Sequence, residues 1–225
     1  TQSVNCIYSN GVLNGKNCYF VFGSVDDEDC AYGHIVWNAK DCVDGLYVFK
    51  SELCYECVDV LGSYRLLYSQ ECEDCRDSIG LFDCRGCSNC IGCVGLRQKN
   101  YYIFNKPVEK EAYKQFLEDN PTHSLQVIAM ILEEREKLRR VLPQRHFFGS
   151  HNTNVSGNHI YHAKNVNYAF DVKSGEDSKF IFTCREAIDS YDISFTADIE
   201  LGYQNAHCMG RNIMFSHVCV NCTDT

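Results

Sequence analysis

The sequence of residues 5–64 reads NCIYSNGVLNGK, NCYFVFGSVDDE, DCAYGHIVWNAK, DCVDGLYVFKSE and LCYECVDVLGSY. These five units are each 12 residues long, and four of them open with Asn or Asp before a cysteine. Such regular spacing in a chain without a low-complexity tract indicates a structural repeat of 12 residues. The repeated cysteines are Cys6, Cys18, Cys30, Cys42 and Cys54.

Within the units, β-branched and aromatic residues come in short runs bounded by Asn, Asp and Gly, which is typical of strands and turns and not of a helix. We therefore predict a mainly β chain, a parallel β-solenoid (β-helix) built from 12-residue strand-turn units, with two or three units in each coil. The cysteines should point inward together with Val12, Val36, Val48 and Val60.

Another column of the repeat changes character along the chain. Two positions after the cysteine, the first three units have the aromatic residues Tyr8, Phe20 and Tyr32. The next two units have the acids Asp44 and Glu56 at this position.

The cysteines beyond Cys54 crowd together at spacings that are multiples of three: Cys57, Cys72, Cys75, Cys84, Cys87, Cys90 and Cys93. Two thiolates three residues apart are the usual grip of zinc and iron–sulfur sites, so the last four leave a metal site open as one alternative. Disulfides are another alternative. Because the same register runs through lone cysteines, we favour a buried ladder of reduced thiols and assign no metal ligand and no cofactor.

Residues 106–143 break the β pattern with two amphipathic segments separated by Asn120 and Pro121. We predict a helix over residues 107–119, with Pro107 in its first turn, and a second over residues 124–142. The predicted apolar faces comprise Val108, Ala112, Tyr113 and Phe116 on the first helix and Leu125, Ile128, Ile131, Leu132 and Leu138 on the second.

The domain prediction follows from these patterns. Residues 1–105 form a cysteine-rich β-solenoid, and residues 106–143 form an inserted α-helical hairpin that covers an open edge. Residues 144–225 form a second β-solenoid segment, which can continue beyond the given chain. In that segment Asn165, Asp177 and Asp189 keep the 12-residue step, while Val166, Ser178 and Ser190 stand in place of the cysteine.

The stretch CSNCIGCVGLRQKNYYIFNKPVEKEAYKQFLED, residues 87–119, resembles cysteine-rich uncharacterised proteins of candidate-phyla bacteria and environmental phages that carry a CVxLRxKxYxIFNK-like signature. The matching residues include Cys93, Leu96, Arg97, Lys99, Phe104, Asn105, Lys106, Lys110, Glu111 and Tyr113. The resemblance brings no activity or catalytic residue with it. It implies a phage or phage-like setting, and hence a virion component.

The charge balance excludes some partners. A formal net charge of -9 argues against nucleic acid as a partner, because proteins that bind it concentrate Lys and Arg on one face. No apolar run approaches the ~20 residues of a membrane span, and the first residues have neither a basic segment nor an apolar run. We therefore expect a soluble chain without a targeting signal, binding neither nucleic acid nor membrane.

No catalytic site is predicted. The acidic run Asp26, Asp27, Glu28 and Asp29 is interpreted as a solvated turn. The motifs of P-loop, Rossmann and serine-hydrolase enzymes do not occur. Six histidines in the second half lack metalloprotease spacing and are interpreted as surface or stacked polar residues: His146, His151, His159, His162, His207 and His217.

The sequence therefore predicts a structural or interaction scaffold and not an enzyme. We expect a phage virion component, such as a capsid, decoration or tail-associated protein, that assembles with itself or other virion proteins in a reducing cytoplasm. One alternative is a tailspike-like β-helix that binds or cleaves glycans, and cleavage requires two acids within ~5 to 10 Å of each other in a groove. The other is a zinc or iron–sulfur module built on the cysteine run.

Overall fold

The structure is a computed structural model, and it describes residues 3–166, 169–175, 179–187, 192–199 and 206–209. The chain divides into two compact units, Thr1–Gln144 and Arg145–Thr225. It is mainly β, as predicted, with a long and mostly parallel sheet and two helices.

An 11-stranded sheet forms the first unit. Its strands are short and run parallel, except that the last strand pairs antiparallel with the one before it. The strands are β1 (Asn10–Leu13), β2 (Phe22–Val25), β3 (His34–Trp37), β4 (Val43–Phe49), β5 (Tyr55–Leu61), β6 (Tyr64–Leu67), β7 (Gln70–Glu73), β8 (Arg76–Ile79), β9 (Ser88–Ile91), β10 (Asn100–Ile103) and β11 (Lys106–Pro107).

The pairing register of the first unit matches the 12-residue repeat of the sequence. Val36 lies opposite Val48, and Val48 opposite Val60, so that paired residues are twelve positions apart. Isolated bridges such as Ile7 to Tyr19 extend the same register between the strands. Consecutive units are thus direct neighbours. The prediction of two or three units per coil was wrong, because it assumed that a unit contains only one strand and one turn and so cannot complete a coil.

The backbone supplies the reason, since it turns far more often than the sequence suggested. From Asn5 to Phe104, every third residue has φ between 46° and 70°, in the left-handed region. Asn, Asp and Gly tolerate this conformation best and fill many of the positions, but Ile35 and Leu53 adopt it as well. The residue that follows each such position faces the interior, which explains why the cysteine spacings are multiples of three.

The interior of the first unit holds the predicted cysteines and valines. Cys18, Cys30, Cys42 and Cys54 are buried, and Cys6 is partly buried against them. Val36, Val48 and Val60 are buried, whereas Val12 is half-buried. The prediction that these residues occupy equivalent inward positions is therefore confirmed.

Two helices, α1 (Lys110–Asp119) and α2 (Leu125–Val141), follow the sheet. The prediction of a helical hairpin is confirmed, although α1 begins three residues later than predicted because Pro107 lies in β11. Of the predicted apolar residues, Tyr113, Ile128 and Ile131 are buried, whereas Ala112 and Leu125 are exposed. Contacts of the hairpin also include residues outside the predicted faces, namely Leu117, Val127 and Met130, which are partly buried against the same cluster.

The second unit contains a six-stranded parallel sheet. Its register is eleven residues between β12 and β13 and twelve at later pairs, such as Phe170 with Phe182. Its strands are β12 (Gly149–Ser150), β13 (Gly157–Tyr161), β14 (Ala169–Gly175), β15 (Lys179–Ala187), β16 (Asp192–Ile199) and β17 (Ala206–Met209).

Val166, which replaces a repeat cysteine, is buried together with Ile160, Ala163 and Val172. The predicted positions Asp177, Ser178, Asp189 and Ser190 lie outside the described residues. Neither helix of the described part of the chain has the length and apolar character needed to span a membrane.

Candidate functional site

The buried thiols are surrounded by backbone carbonyl oxygens. The Cys42 sulfur lies 3.3 Å from the oxygen of Lys40 and 3.5 Å from that of Ser51, and the other repeat cysteines have the same kind of neighbours. Such oxygens accept S–H hydrogen bonds and repel a thiolate. Burial also raises the pKa of Cys18 to about 12. The twelve cysteines whose side chains the structure describes are all free, so none of them is joined in a disulfide.

Cys84, Cys87, Cys90 and Cys93 fill four successive inward positions, and all of them are buried. Hydrogen bonds from Cys75, Cys84 and Cys90 lower the pKa of Cys87. A zinc or iron–sulfur centre needs several sulfurs ~2.3 Å from one metal, and therefore within ~4 Å of each other. Within the described residues, no three cysteine sulfurs lie inside 4.8 Å of one another.

Asp27 lies inside the first unit and not in a solvated turn. Its carboxylate accepts a hydrogen bond from the Ser24 hydroxyl and another, of 2.9 Å, from the Ala39 backbone N–H. Burial raises the pKa of Asp27 to about 6. The interpretation of the acidic run as solvated was wrong for this residue, because the residue that follows each left-handed position faces inward regardless of its polarity. An acid enclosed in this way has no access to a substrate.

Two adjacent outward columns form a surface that we call the hairpin face. The first column comprises Ile7, Tyr19, Ala31, Val43, Tyr55, Leu67, Ile79, Ile91 and Ile103, paired in sequence along the sheet. The second contains the residues that follow them: Tyr8, Phe20, Tyr32, Asp44, Glu56, Tyr68, Gly80, Gly92 and Phe104. Every residue of the second column has a positive φ.

The hairpin covers the C-terminal part of this face. Ile131 of α2 is buried against Ile79 and Ile91, with Leu67 and Ile103 at the border. A methyl group added at Gly80 would lie 3.0 Å from Ile131, so the glycine in this column lets the helix approach closely.

Polar contacts fix the hairpin in place. Arg135 donates a 3.1 Å hydrogen bond to the Tyr68 carbonyl oxygen, and the Tyr113 hydroxyl donates one of 3.3 Å to the Asp77 carbonyl oxygen. The guanidinium of Arg139 lies 4.2 Å from the ring centre of Phe82, a cation–π contact.

The N-terminal part of the same face is uncovered and aromatic. Tyr8 is 72% exposed, Tyr32 53% and Phe20 48%, and Ile7 and Tyr19 beside them are also exposed. The Tyr19 ring lies 5.8 Å from that of Tyr8 and 5.5 Å from that of Tyr32, in edge-to-face contacts. These rings form one connected surface, which we call the aromatic face.

An open groove runs beside the aromatic face, with Gly33 and Gly45 between its two walls. The walls are formed by Phe20, Tyr32 and Asp44 on one side and by Phe22, His34 and Leu46 on the other. Asp44 is the single carboxylate among these lining residues, so this groove lacks the acid pair that glycan cleavage requires.

The signature residues end the stack and hold the hairpin. The Asn105 side chain accepts a hydrogen bond of 2.8 Å from the Val94 N–H and donates one of 2.9 Å to the Val94 carbonyl oxygen. The side-chain amide thus takes the place that the backbone of a following strand would have. Arg97 forms an ion pair of 2.7 Å with Asp83, which is almost buried. These residues therefore have structural roles in the described part of the chain.

Three of the six histidines have stacked rings. The rings of His151 and His162 stack at 4.7 Å, and His159 stacks on Phe148 at 5.6 Å. The His207 side chain and the whole of His217 lie outside the described residues.

Sequence reasoning did not identify the aromatic face as a surface. The available signal was the column of Tyr8, Phe20 and Tyr32, whose outward direction depends on a backbone turn that the sequence does not reveal. No protein-family model matches the chain, and no curated protein shows significant similarity to it.

Proposed function

We propose that this protein is a non-catalytic interaction scaffold, a parallel β-solenoid with one 12-residue unit per coil that presents the aromatic face to a protein partner. The twelve-residue register along the first unit supports the solenoid. The turn at every third residue supports it as well, because it lets a short segment go round the interior.

One observation carries the interaction role: exposed rings occupy backbone positions that disfavour them. Tyr8, Phe20 and Tyr32 have φ values of 52° to 56°. A bulky residue in this region costs on the order of 1 kcal/mol, whereas Asn, Asp and Gly adopt it readily. Asn17 and Asp29 occupy the left-handed positions three residues before Phe20 and Tyr32. The edge-to-face contacts with Tyr19 offset part of this cost, but the rings stay largely exposed, so a partner accounts for them best.

The setting that we propose is a phage particle assembled in a reducing cytoplasm. The resemblance of residues 87–119 to phage-encoded proteins supports the particle, and the free cysteines support the reducing compartment. The partners would then be other virion proteins or further copies of this chain.

Site-specific photocrosslinking in the producing cells tests this function. A benzoyl-phenylalanine in place of Phe20 should form a discrete protein adduct. The same group in place of Leu53, which is also exposed and left-handed, should not. Identification of the adduct as a phage structural protein would support the virion setting. Equal labelling from both positions, or no protein adduct from position 20, would contradict the interaction role.

A further inference from the structure

Resting on the proposed function, we infer that the aromatic face binds an amphipathic α-helix of a partner protein, which has an apolar stripe and a basic flank. The occupant is a helix because the same two columns already bind one. Over the C-terminal part of the hairpin face, α2 lies on the continuation of the columns that contain Tyr19 and Phe20.

The covered part of the face shows how such a helix is held. Ile128 and Ile131 of α2 are both buried against the columns. They are three residues apart, so they project from one side of a helix. Arg135, one turn further along, reaches the Tyr68 carbonyl oxygen at 3.1 Å. The contact thus combines an apolar stripe with a basic side chain beside it.

The uncovered part offers the same two components. Tyr8, Phe20 and Tyr32 provide apolar surface, and their column continues to Asp44 and Glu56, which are both exposed. In the second column, the covered part of the hairpin face contains Gly80 and Gly92, whereas the uncovered part has aromatic rings. A partner helix would therefore lie across aromatic edges and place its basic residues over the two acids.

Charge distinguishes the partner from a second copy of this chain. The formal net charge of -9 makes two copies repel each other, and the acids on the hairpin face add to this repulsion locally. A basic flank has the opposite effect, since complementary charges speed association and favour the correct partner.

The test uses the full chain and two fluorescent helical peptides, one of Leu and Lys and one of Leu and Glu, that share the same apolar stripe. In anisotropy titrations the Leu/Lys peptide should bind at least about tenfold more tightly than the Leu/Glu peptide. A variant with Tyr8→Asn, Phe20→Asn and Tyr32→Asn should lose at least about tenfold in affinity for the Leu/Lys peptide. Asn suits the left-handed backbone, so this variant is expected to remain folded.

Two further variants locate the site. Leu53→Asn, at an exposed left-handed position outside the aromatic face, should leave the affinity unchanged. Asp44→Asn combined with Glu56→Gln should weaken binding of the Leu/Lys peptide and reduce its dependence on salt.

Other outcomes would overturn the inference. Equal binding of both peptides, or a triple Asn variant that binds like the unmodified protein, would exclude a helix with a basic flank. Retention of the protein by amylose or dextran, lost in the triple variant, would assign the face to glycans instead. Neither peptide binding, together with a protein adduct from benzoyl-phenylalanine at position 20, would leave the interaction role in place and exclude only the helical partner.

Discussion

At the scale of single residues, the inward side chains do more than fill space. Small polar side chains of the preceding unit accept hydrogen bonds from the backbone N–H groups of several inward residues. Ser63 accepts the N–H of Cys75 at 3.1 Å, and Ser78 accepts that of Cys90 at 3.0 Å. Cysteine has a similar size and a weak donor and acceptor, so it suits an interior lined with peptide groups.

Asp27 is the one carboxylate at a fully buried inward position among the described residues, and it makes stability depend on pH. Its pKa is about 6 in the folded protein, against 3.8 for the free side chain. The folded state therefore binds the proton more tightly than the unfolded state. As the pH rises from below 3.8 to above 6, the free energy of unfolding should fall by up to ~3 kcal/mol from this group and then stay level.

The substitution Asp27→Asn removes that dependence. The variant should gain stability relative to the unmodified protein between pH 4 and pH 7, by about 3 kcal/mol at most. Urea unfolding at several pH values measures the difference. Asp41→Asn, at an exposed position, provides the control. A stability difference that does not change with pH would show that the Asp27 carboxyl is not perturbed in the folded protein.

At the scale of elements, the hairpin is attached to the sheet by a small number of side chains. Ile131 is fully buried between α2 and the hairpin face, close to Gly80. The long helix exposes much of the rest of its surface, and Val141 at its end is 83% exposed. The attachment should therefore depend strongly on position along α2.

We expect Ile131→Ala to lower the free energy of unfolding by about 2 to 5 kcal/mol, because it removes buried contacts and leaves a cavity. Val141→Ala should change stability by less than ~0.5 kcal/mol. Chemical unfolding followed by circular dichroism compares the two variants. A loss of similar size in both would mean that the hairpin does not depend on this contact.

The repeat and the hairpin could be predicted because both are periodic in sequence. The turn at every third residue could not, since Tyr, Phe, Leu and Ile stand at many of those positions beside the expected Asn, Asp and Gly. For the same reason the sequence did not show that Tyr8 and Phe20 point outward as one surface. The start of α1 was misplaced because Pro107 suits an edge strand as well as the first turn of a helix.

At the scale of the whole molecule, stacked inward side chains and backbone hydrogen bonds hold the first unit together. Surface charges help to fix the pairing register of its units. Lys16 and Glu28 approach to 2.5 Å and Glu28 and Lys40 to 3.7 Å, so unlike charges alternate along one outward column. Exposed pairs of this kind contribute only ~0 to 1 kcal/mol each. Their main effect is to disfavour a shifted register, which would bring like charges together.

Each unit of the repeat lies directly on the next. This arrangement requires backbone hydrogen bonds that span eleven residues, from Tyr19 N–H to Cys30, from Ala31 N–H to Cys42 and from Val43 N–H to Cys54, all between 2.9 and 3.0 Å. NMR scalar couplings across hydrogen bonds, measured on isotope-labelled protein, detect such pairs directly. We expect a coupling from each of these amide nitrogens to the carbonyl carbon of the named cysteine. Couplings from these three amides to carbonyls at any other sequence separation would show that the units do not lie directly on each other.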